Sequence, residues 1–108
     1  LFIDGGILYA AGQDGRLFKI SIDSFAVLAE IRNAHRKMFR LAGIYGDKLV
    51  TVSHPCSEIA FWDKDTLKKL EVLQVPLKLS GRTYIEGDNL YISSRNILGI
   101  GIINLKHK

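Results

Sequence analysis

Three leucines recur in this chain at one constant interval: Leu8, Leu49 and Leu90. Each opens a short apolar segment that follows a glycine-containing turn. A second apolar segment comes after each of them, and the three second segments end, at nearly the same interval, at Ile20, Trp62 and Ile103. A period of about 40 residues predicts a series of similar structural units that stack on one another.

The apolar segments have the composition of strands. Residues 17–22 read L-F-K-I-S-I, and their alternation and β-branched residues favour a strand over a helix. The pair Asp14-Gly15 separates this segment from residues 8–11, and Asp-Gly is a strong signal for a tight turn. We therefore expect a hairpin over residues 8–22 and comparable hairpins at the two later copies.

Four short strands in about 40–45 residues are typical of one blade of a β-propeller. The segments D-G-R-L-F-K-I-S at 14–21 and C-S-E-I-A-F-W-D at 56–63 resemble the second hairpin of the WD40 repeat family. The third copy, I-L-G-I-G-I-I-N at 97–104, keeps only the apolar pattern. The expected fold is all-β, a fragment of a WD40-like β-propeller with four-stranded antiparallel blades.

The period divides the chain into blade 1 at about residues 1–35, blade 2 at about 36–76 and an incomplete blade 3 at about 77–108. A closed propeller has about four to eight blades. We therefore expect further blades from elsewhere, or self-association of several copies. The chain begins with Leu1 rather than methionine, so we expect a piece of a longer product.

The resemblance gives one set of residues a structural role. In the family, the tryptophan packs between blades and its indole N–H bonds a strand hydroxyl. For Trp62, the candidate partner is Thr51 or Ser53, with His35 behind it. The family completes this network with a turn aspartate, but Cys56 stands at that place, so we expect an incomplete network. Further structural positions are Asp63, after the tryptophan, and the turn residues Asp14 and Gly15.

A helix over residues 24–42 is the main alternative. Apolar side chains and a histidine recur there at helical spacing, and the segment is rich in good helix formers. The repeat period instead favours two strands and a connecting loop at this place.

Catalytic patterns are sparse. Ser53-His54 with Asp63 or Asp65 could form a triad, but neighbouring strand residues point to opposite faces, which favours a strand hydroxyl and a loop histidine. Cys56 is either a reactive thiol or an inert loop residue. The histidines lack metal-ligand spacing, and no phosphate-binding loop is present. We expect no enzyme activity, cofactor or metal.

Residues 32–40, R-N-A-H-R-K-M-F-R, contain four positive charges and no acid. This segment should connect the outer strand of blade 1 to the inner strand of blade 2, on the same face as the turn at 54–57. The expected partner-binding residues are Arg32, His35, Arg36, Lys37, Arg40 and His54. Met38 and Phe39 are apolar anchors beside them, unless Phe39 belongs to the core. The alternative is a solvated loop that contributes only solubility.

The expected function is a non-catalytic scaffold for protein interactions, with acidic partners, in the cytoplasm or nucleus. One alternative is a nucleic-acid or ribonucleoprotein partner bound by the basic segment, since the net charge is +4. A second is a propeller enzyme whose active site lies in missing blades, with Arg40, Arg82 and Glu86 at the channel. The longest apolar run, at 97–103, is far shorter than the roughly 20 residues that cross a bilayer, so no membrane partner is expected.

Overall fold

The computed structural model describes residues 1–12, 15–35, 39–53, 56–79, 83–93 and 100–106. These residues form eleven strands: β1 Phe2–Asp4, β2 Ile7–Ala11, β3 Leu17–Ser21, β4 Val27–Ile31, β5 Phe39–Tyr45, β6 Lys48–Ser53, β7 Cys56–Asp63, β8 Lys69–Leu79, β9 Thr83–Glu86, β10 Asn89–Ser93 and β11 Ile100–Asn104.

The strands form three antiparallel sheets in sequence order. The first contains β1 to β4 and the second β5 to β8, while the third contains β9 to β11. Each sheet is a meander in which every strand pairs with its neighbour along the chain. This is the blade plan of a β-propeller, and we call the sheets blade 1, blade 2 and blade 3.

The strand registers confirm the repeat. Leu8 lies opposite Ile20, Leu49 opposite Trp62 and Leu90 opposite Ile103, so the regularly spaced leucines occupy the same place in each blade. The alternative helix at 24–42 is wrong for the described part of that segment. Residues 27–31 form the outer strand β4, and β5 begins at Phe39.

Two apolar clusters hold the blades together, one at each junction. Strand alternation sends neighbouring residues of the central strand β6 to opposite junctions. Leu49 packs with Tyr9 and Leu17 of blade 1, while Val50 packs with Leu90 of blade 3. The central strands of blade 2 are therefore buried on both faces, which explains the near-continuous run of buried residues from Leu49 to Val52.

In the residues that the structure describes, no helix is long and apolar enough to cross a membrane.

Candidate functional site

The basic segment lies where the sequence places it, between β4 and β5. Arg32 extends into solvent with its side chain 83% exposed, and its Nε lies 3.6 Å from Glu30 Oε2. Arg40 is also exposed, near the start of β5. Four of the proposed positions, Arg36, Lys37, Met38 and His54, lie outside the described residues.

Arg40 stands at the edge of a cleft of about 430 Å³. The cleft is lined by residues from all three blades, near the start of the inner strands: Leu1, Ala11, Phe39, Arg40, Leu41 and Thr83. Phe39 is buried, with 5% of its surface exposed, so it belongs to the core rather than to an exposed anchor. Among the described lining side chains, Arg40 carries a positive charge and Thr83 a hydroxyl, and the others are apolar.

Two hydrogen bonds at the backbone of Ala34 hold the connection to both of its blades. The amide of Ala34 donates to the carbonyl of Gly15 at 2.9 Å, which ties the connection to the β2–β3 turn of blade 1. Lys69 Nζ donates to the carbonyl of Ala34 at 3.2 Å, which ties it to the outer strand of blade 2. Gly15 has φ +86°, a left-handed conformation that favours glycine. The turn therefore requires glycine at this position because of its backbone conformation.

A buried hydrogen-bond network lies directly beneath the connection. Trp62 Nε1 donates to Thr51 Oγ1 at 2.9 Å, and Thr51 Oγ1 lies 2.7 Å from His35 Nε2. Because Trp62 already donates to Thr51, the hydroxyl proton of Thr51 can point to His35 Nε2. We therefore assign the neutral imidazole its proton on Nδ1. Ser53, the other candidate partner of Trp62, instead accepts a hydrogen bond from the amide of Glu58 at 3.0 Å.

His35 does not belong to the partner-binding surface. Its side chain is 1% exposed, and its ring lies 5.0 Å from the ring of Phe39, centroid to centroid. Burial lowers the pKa of His35 below its ordinary value; the Glu58 carboxylate opposes this shift and the Lys69 ammonium adds to it. The expectation of an exposed binding histidine is therefore corrected to one of a core residue in the network.

Glu58 takes the place that the sequence interpretation left vacant at Cys56. Its Oε1 lies 3.1 Å from His35 Nδ1, a close contact whose alignment falls short of a hydrogen bond. The network is incomplete, as expected, because Nδ1 of His35 makes no hydrogen bond. What the sequence interpretation missed is a carboxylate beside it, two residues after Cys56. Strand alternation puts residues 58, 60 and 62 on one face of β7, and this pattern could have revealed Glu58 from the sequence.

Lys69 covers the network from the outer strand β8. Its Nζ lies 3.9 Å from Glu58 Oε1 and 5.3 Å from the centroid of the Trp62 ring. No sequence pattern singles out this lysine. It contacts the connection at Ala34, the carboxylate of Glu58 and the ring of Trp62, and so links all three.

Asp63 has a separate role at the opposite end of blade 2. Its Oδ1 accepts the backbone amides of Asp65 at 2.9 Å and Thr66 at 3.0 Å. These bonds lower the pKa of the Asp63 carboxyl group. They form a turn in which Leu67 adopts φ +57° and is buried against blade 1. The aspartate thus stabilises a turn, and it lies at the end of blade 2 remote from the basic connection.

The described part of the chain contains no cluster of three or more His, Cys, Asp or Glu residues with metal-binding geometry. Asp14 and Arg82 lie outside the described residues, and Glu86 is exposed at the end of β9.

No family model matches this sequence, and no curated protein matches it. Solved structures do match. The computationally designed Ika4 protein aligns with a TM-score of 0.72 at 12% identity, over 95% of this chain and 62% of that one. The designed Ika8 protein aligns with 0.71 at 12% identity, over 94% and 31%. BamB from Moraxella catarrhalis, a β-propeller, aligns with 0.67 at 13% identity, over 94% and 31%.

The chain spans less than two thirds of the length of each of these proteins. Identities of 12–13% carry the fold alone. Together with the three antiparallel sheets, they show that this chain has the fold of part of a β-propeller.

Proposed function

We propose that this chain is a non-catalytic scaffold for protein interactions and part of a larger WD40-like propeller, acting in the cytoplasm or nucleus. Its docking face carries the β4–β5 connection and binds an acidic segment of a partner protein. Arg32 and Arg40 are the contact residues within the described part of the chain, and Arg36, Lys37 and His54 complete the set.

The observation that carries this proposal is that two exposed arginines lie on either side of an anchored residue in the described part of the connection. Ala34 is bonded to blade 1 through Gly15 and to blade 2 through Lys69. Arg32 and Arg40 flank that anchored point in the sequence, and both are exposed. A residue held by hydrogen bonds loses less conformational entropy on binding than an unanchored one, which favours recognition around Ala34.

The buried network supports the WD40-like part of the proposal. The family joins a tryptophan, a strand hydroxyl, a histidine and an acid in one network, and here the corresponding groups are Trp62, Thr51, His35 and Glu58. The departure is the position of the acid, which comes from the strand rather than from the turn before it.

The test is binding to immobilised polyglutamate, used as an acidic probe. The Arg32→Glu/Arg40→Glu variant should lose most of the binding, because two attractive charges become repulsive. The matched control is Lys68→Glu/Lys106→Glu, which also reverses two exposed charges, at the ends of blades 2 and 3 remote from the connection. Equal loss in both variants would show a response to net charge alone and would overturn the docking face.

A short DNA duplex tests the nucleic-acid alternative, which the net charge of +4 favours. Binding to phosphates releases counterions, so the logarithm of the association constant falls steeply and linearly with the logarithm of the salt concentration. We expect weak binding that disappears at physiological salt. Tighter binding to the duplex than to polyglutamate at that salt would replace the acidic-protein partner with nucleic acid.

A further inference from the structure

Blade 1 and blade 3 each have one sheet face that is not packed on blade 2. These two outer faces carry residues equivalent to those that pack between blades 1 and 2. Each blade has a leucine face, which carries Leu8, Leu49 or Leu90. In blades 2 and 3, the leucine face packs on the preceding blade. The leucine face of blade 1 carries Leu8, Ile20 and Ile3, and Ile3 is 62% exposed.

Phe25 shows that the leucine face of blade 1 is equipped for a junction. It occupies the same turn position as Leu67 of blade 2. The amides of Phe25 and Leu67 each donate at 2.8 Å to the carbonyl four residues earlier, and their φ angles are +55° and +57°. Leu67 is 1% exposed within the junction between blades 1 and 2, whereas Phe25 is 79% exposed. A phenylalanine held in a left-handed conformation and left in water is costly unless something covers it.

Blade 3 presents the matching opposite face. Tyr91 lies between Tyr84 and Ile102 in the strand register, and these three side chains share the face directed away from blade 2. Tyr84 and Tyr91 stack with centroids 5.2 Å apart, and Tyr84 and Ile102 are 55% and 61% exposed. An aromatic and aliphatic row of this kind suits a packed sheet junction.

Tyr91 is also the equivalent of Tyr9, two repeats earlier. Tyr9 is buried in the junction between blades 1 and 2, where its hydroxyl donates to the carbonyl of Lys64 at 2.8 Å. The amides of Lys64 and Ile22 make the same turn contact, to Asp47 and Gly6 respectively, so Ile22 is the equivalent of Lys64. The carbonyl of Ile22 on a neighbouring blade 1 is thus the matching acceptor for Tyr91.

We propose that the leucine face of blade 1 in one copy docks on the Tyr84–Tyr91–Ile102 face of blade 3 in a second copy. The Tyr91 hydroxyl donates to the Ile22 carbonyl of that copy, and Phe25 of that copy is buried as Leu67 is. The contact is head to tail, and two copies of three blades give six, within the range of about four to eight that a closed propeller has. We propose that the ring closes at two copies. This inference concerns how further blades are supplied, and it holds whether or not the basic connection binds an acidic partner.

The test is the mass of the full chain by light scattering after gel filtration, in reducing buffer so that Cys56 cannot link copies. The expected mass is twice 12.1 kDa across about a hundredfold range of concentration. A monomer throughout would overturn the proposal. A series of larger masses would overturn the closed ring, because it indicates an open chain of copies.

Two variants probe the two faces separately. Phe25→Asp removes the anchor with a residue that tolerates the left-handed conformation, and Ile102→Lys places a charge on the opposite face. Each should give a monomer with an unchanged far-UV spectrum. The control is Leu70→Asp, because Leu70 is 48% exposed on the outer strand of blade 2, and it should remain a dimer.

A mixture of the two variants should form a weaker pair, because the Ile102→Lys copy keeps an intact blade 1 face and the Phe25→Asp copy keeps an intact blade 3 face. A dimer that only one variant disrupts would overturn the head-to-tail contact and indicate a symmetric one. These outcomes are read from mass alone, so failure here is distinguishable from failure of the polyglutamate binding.

Discussion

Blade 2 meets its two neighbours through different chemistry. The junction with blade 1 contains the only buried polar residues among those described, His35 and Thr51, together with the indole N–H of Trp62. The buried cluster at the junction with blade 3 is wholly apolar and consists of Ala42, Val50, Val52, Ile59, Phe61, Leu90, Ile92 and Leu105.

Repeat positions show that the polar groups are replaced together. Ile92 stands one repeat after Thr51, and Ile103 stands one repeat after Trp62. A buried donor or acceptor without a partner costs about 1–3 kcal/mol, whereas exchange of both partners for apolar groups is nearly neutral. The comparison therefore indicates that the network is retained or lost as a unit. It also shows that one blade can have a hydrogen-bonded junction on one face and an apolar junction on the other.

Trp62→Ala should have the largest effect on this comparison. The variant removes a side chain that is 2% exposed and leaves a cavity, so the free energy of unfolding should fall by about 3–5 kcal/mol. Urea denaturation followed by far-UV circular dichroism measures this, at one protein concentration. Trp62→Phe keeps most of the ring and removes the N–H donor, so it should cost about 1 kcal/mol. Equal losses in the two variants would mean that the hydrogen bond, not the packing, dominates the junction.

Thr51→Val and Ile92→Thr test the two junctions at equivalent positions. The first leaves the N–H of Trp62 and Nε2 of His35 without a partner, and the second buries a hydroxyl among apolar side chains. Each should lower the free energy of unfolding by about 1–3 kcal/mol in the same assay. Thr51→Ser keeps the hydroxyl and serves as the control. A neutral Thr51→Val variant would contradict the role of the network.

Periodic features of the fold were predictable from the sequence. The constant leucine interval determines the blade order, and Leu8, Leu49 and Leu90 lie at equivalent places because a sheet repeats every two residues and a blade repeats as a unit. The same interval argued against a helix at 24–42, although the local composition favoured one. Non-local strand pairing outweighed local helix propensity at that place.

The polar part of the site was less predictable. The sequence analysis gave His35 two roles, one behind the hydroxyl partner of Trp62 and one on the binding surface with Arg32 and Arg40. In the structure His35 is buried and the two arginines are exposed. The difference depends on Thr51, which lies 16 residues away and supplies the bond that makes burial of an imidazole tolerable. Lys69 enters the network through the pairing of β7 with β8, which a motif of consecutive residues does not contain. Glu58 shares one face of β7 with Trp62, so strand alternation alone could have pointed to it.

Acid should weaken the junction with blade 1 through His35. Since its pKa in the folded state lies below the ordinary value of about 6.5, the unfolded chain binds the proton more readily. The stabilisation is therefore fully present above about pH 6.5 and is lost as the pH falls toward the folded-state pKa. The facing groups Glu58 and Lys69 oppose and reinforce the shift respectively.

Urea denaturation at several values between about pH 7.5 and 5.5 measures this dependence. His35→Gln provides the reference, because it retains a hydrogen-bonding side chain without titration and leaves His54 and His107 in place. The free energy of unfolding should fall more steeply with acid in the native sequence than in the variant. Parallel curves would show that the buried imidazole does not control the pH dependence.

Lys69→Met should give the smallest change. The variant keeps the unbranched stem that covers Trp62 but removes the ammonium group that contacts the ring, the Ala34 carbonyl and Glu58. Because the lysine side chain is 37% exposed, water and salt screen these contacts, and we expect a loss of about 0.5–1 kcal/mol. Lys68→Met, at the neighbouring exposed lysine, controls for net charge. A loss that is confined to Lys69→Met and reduced by salt would show that a surface cation stabilises the junction with blade 1. The described core of the junction with blade 3 contains no such cation.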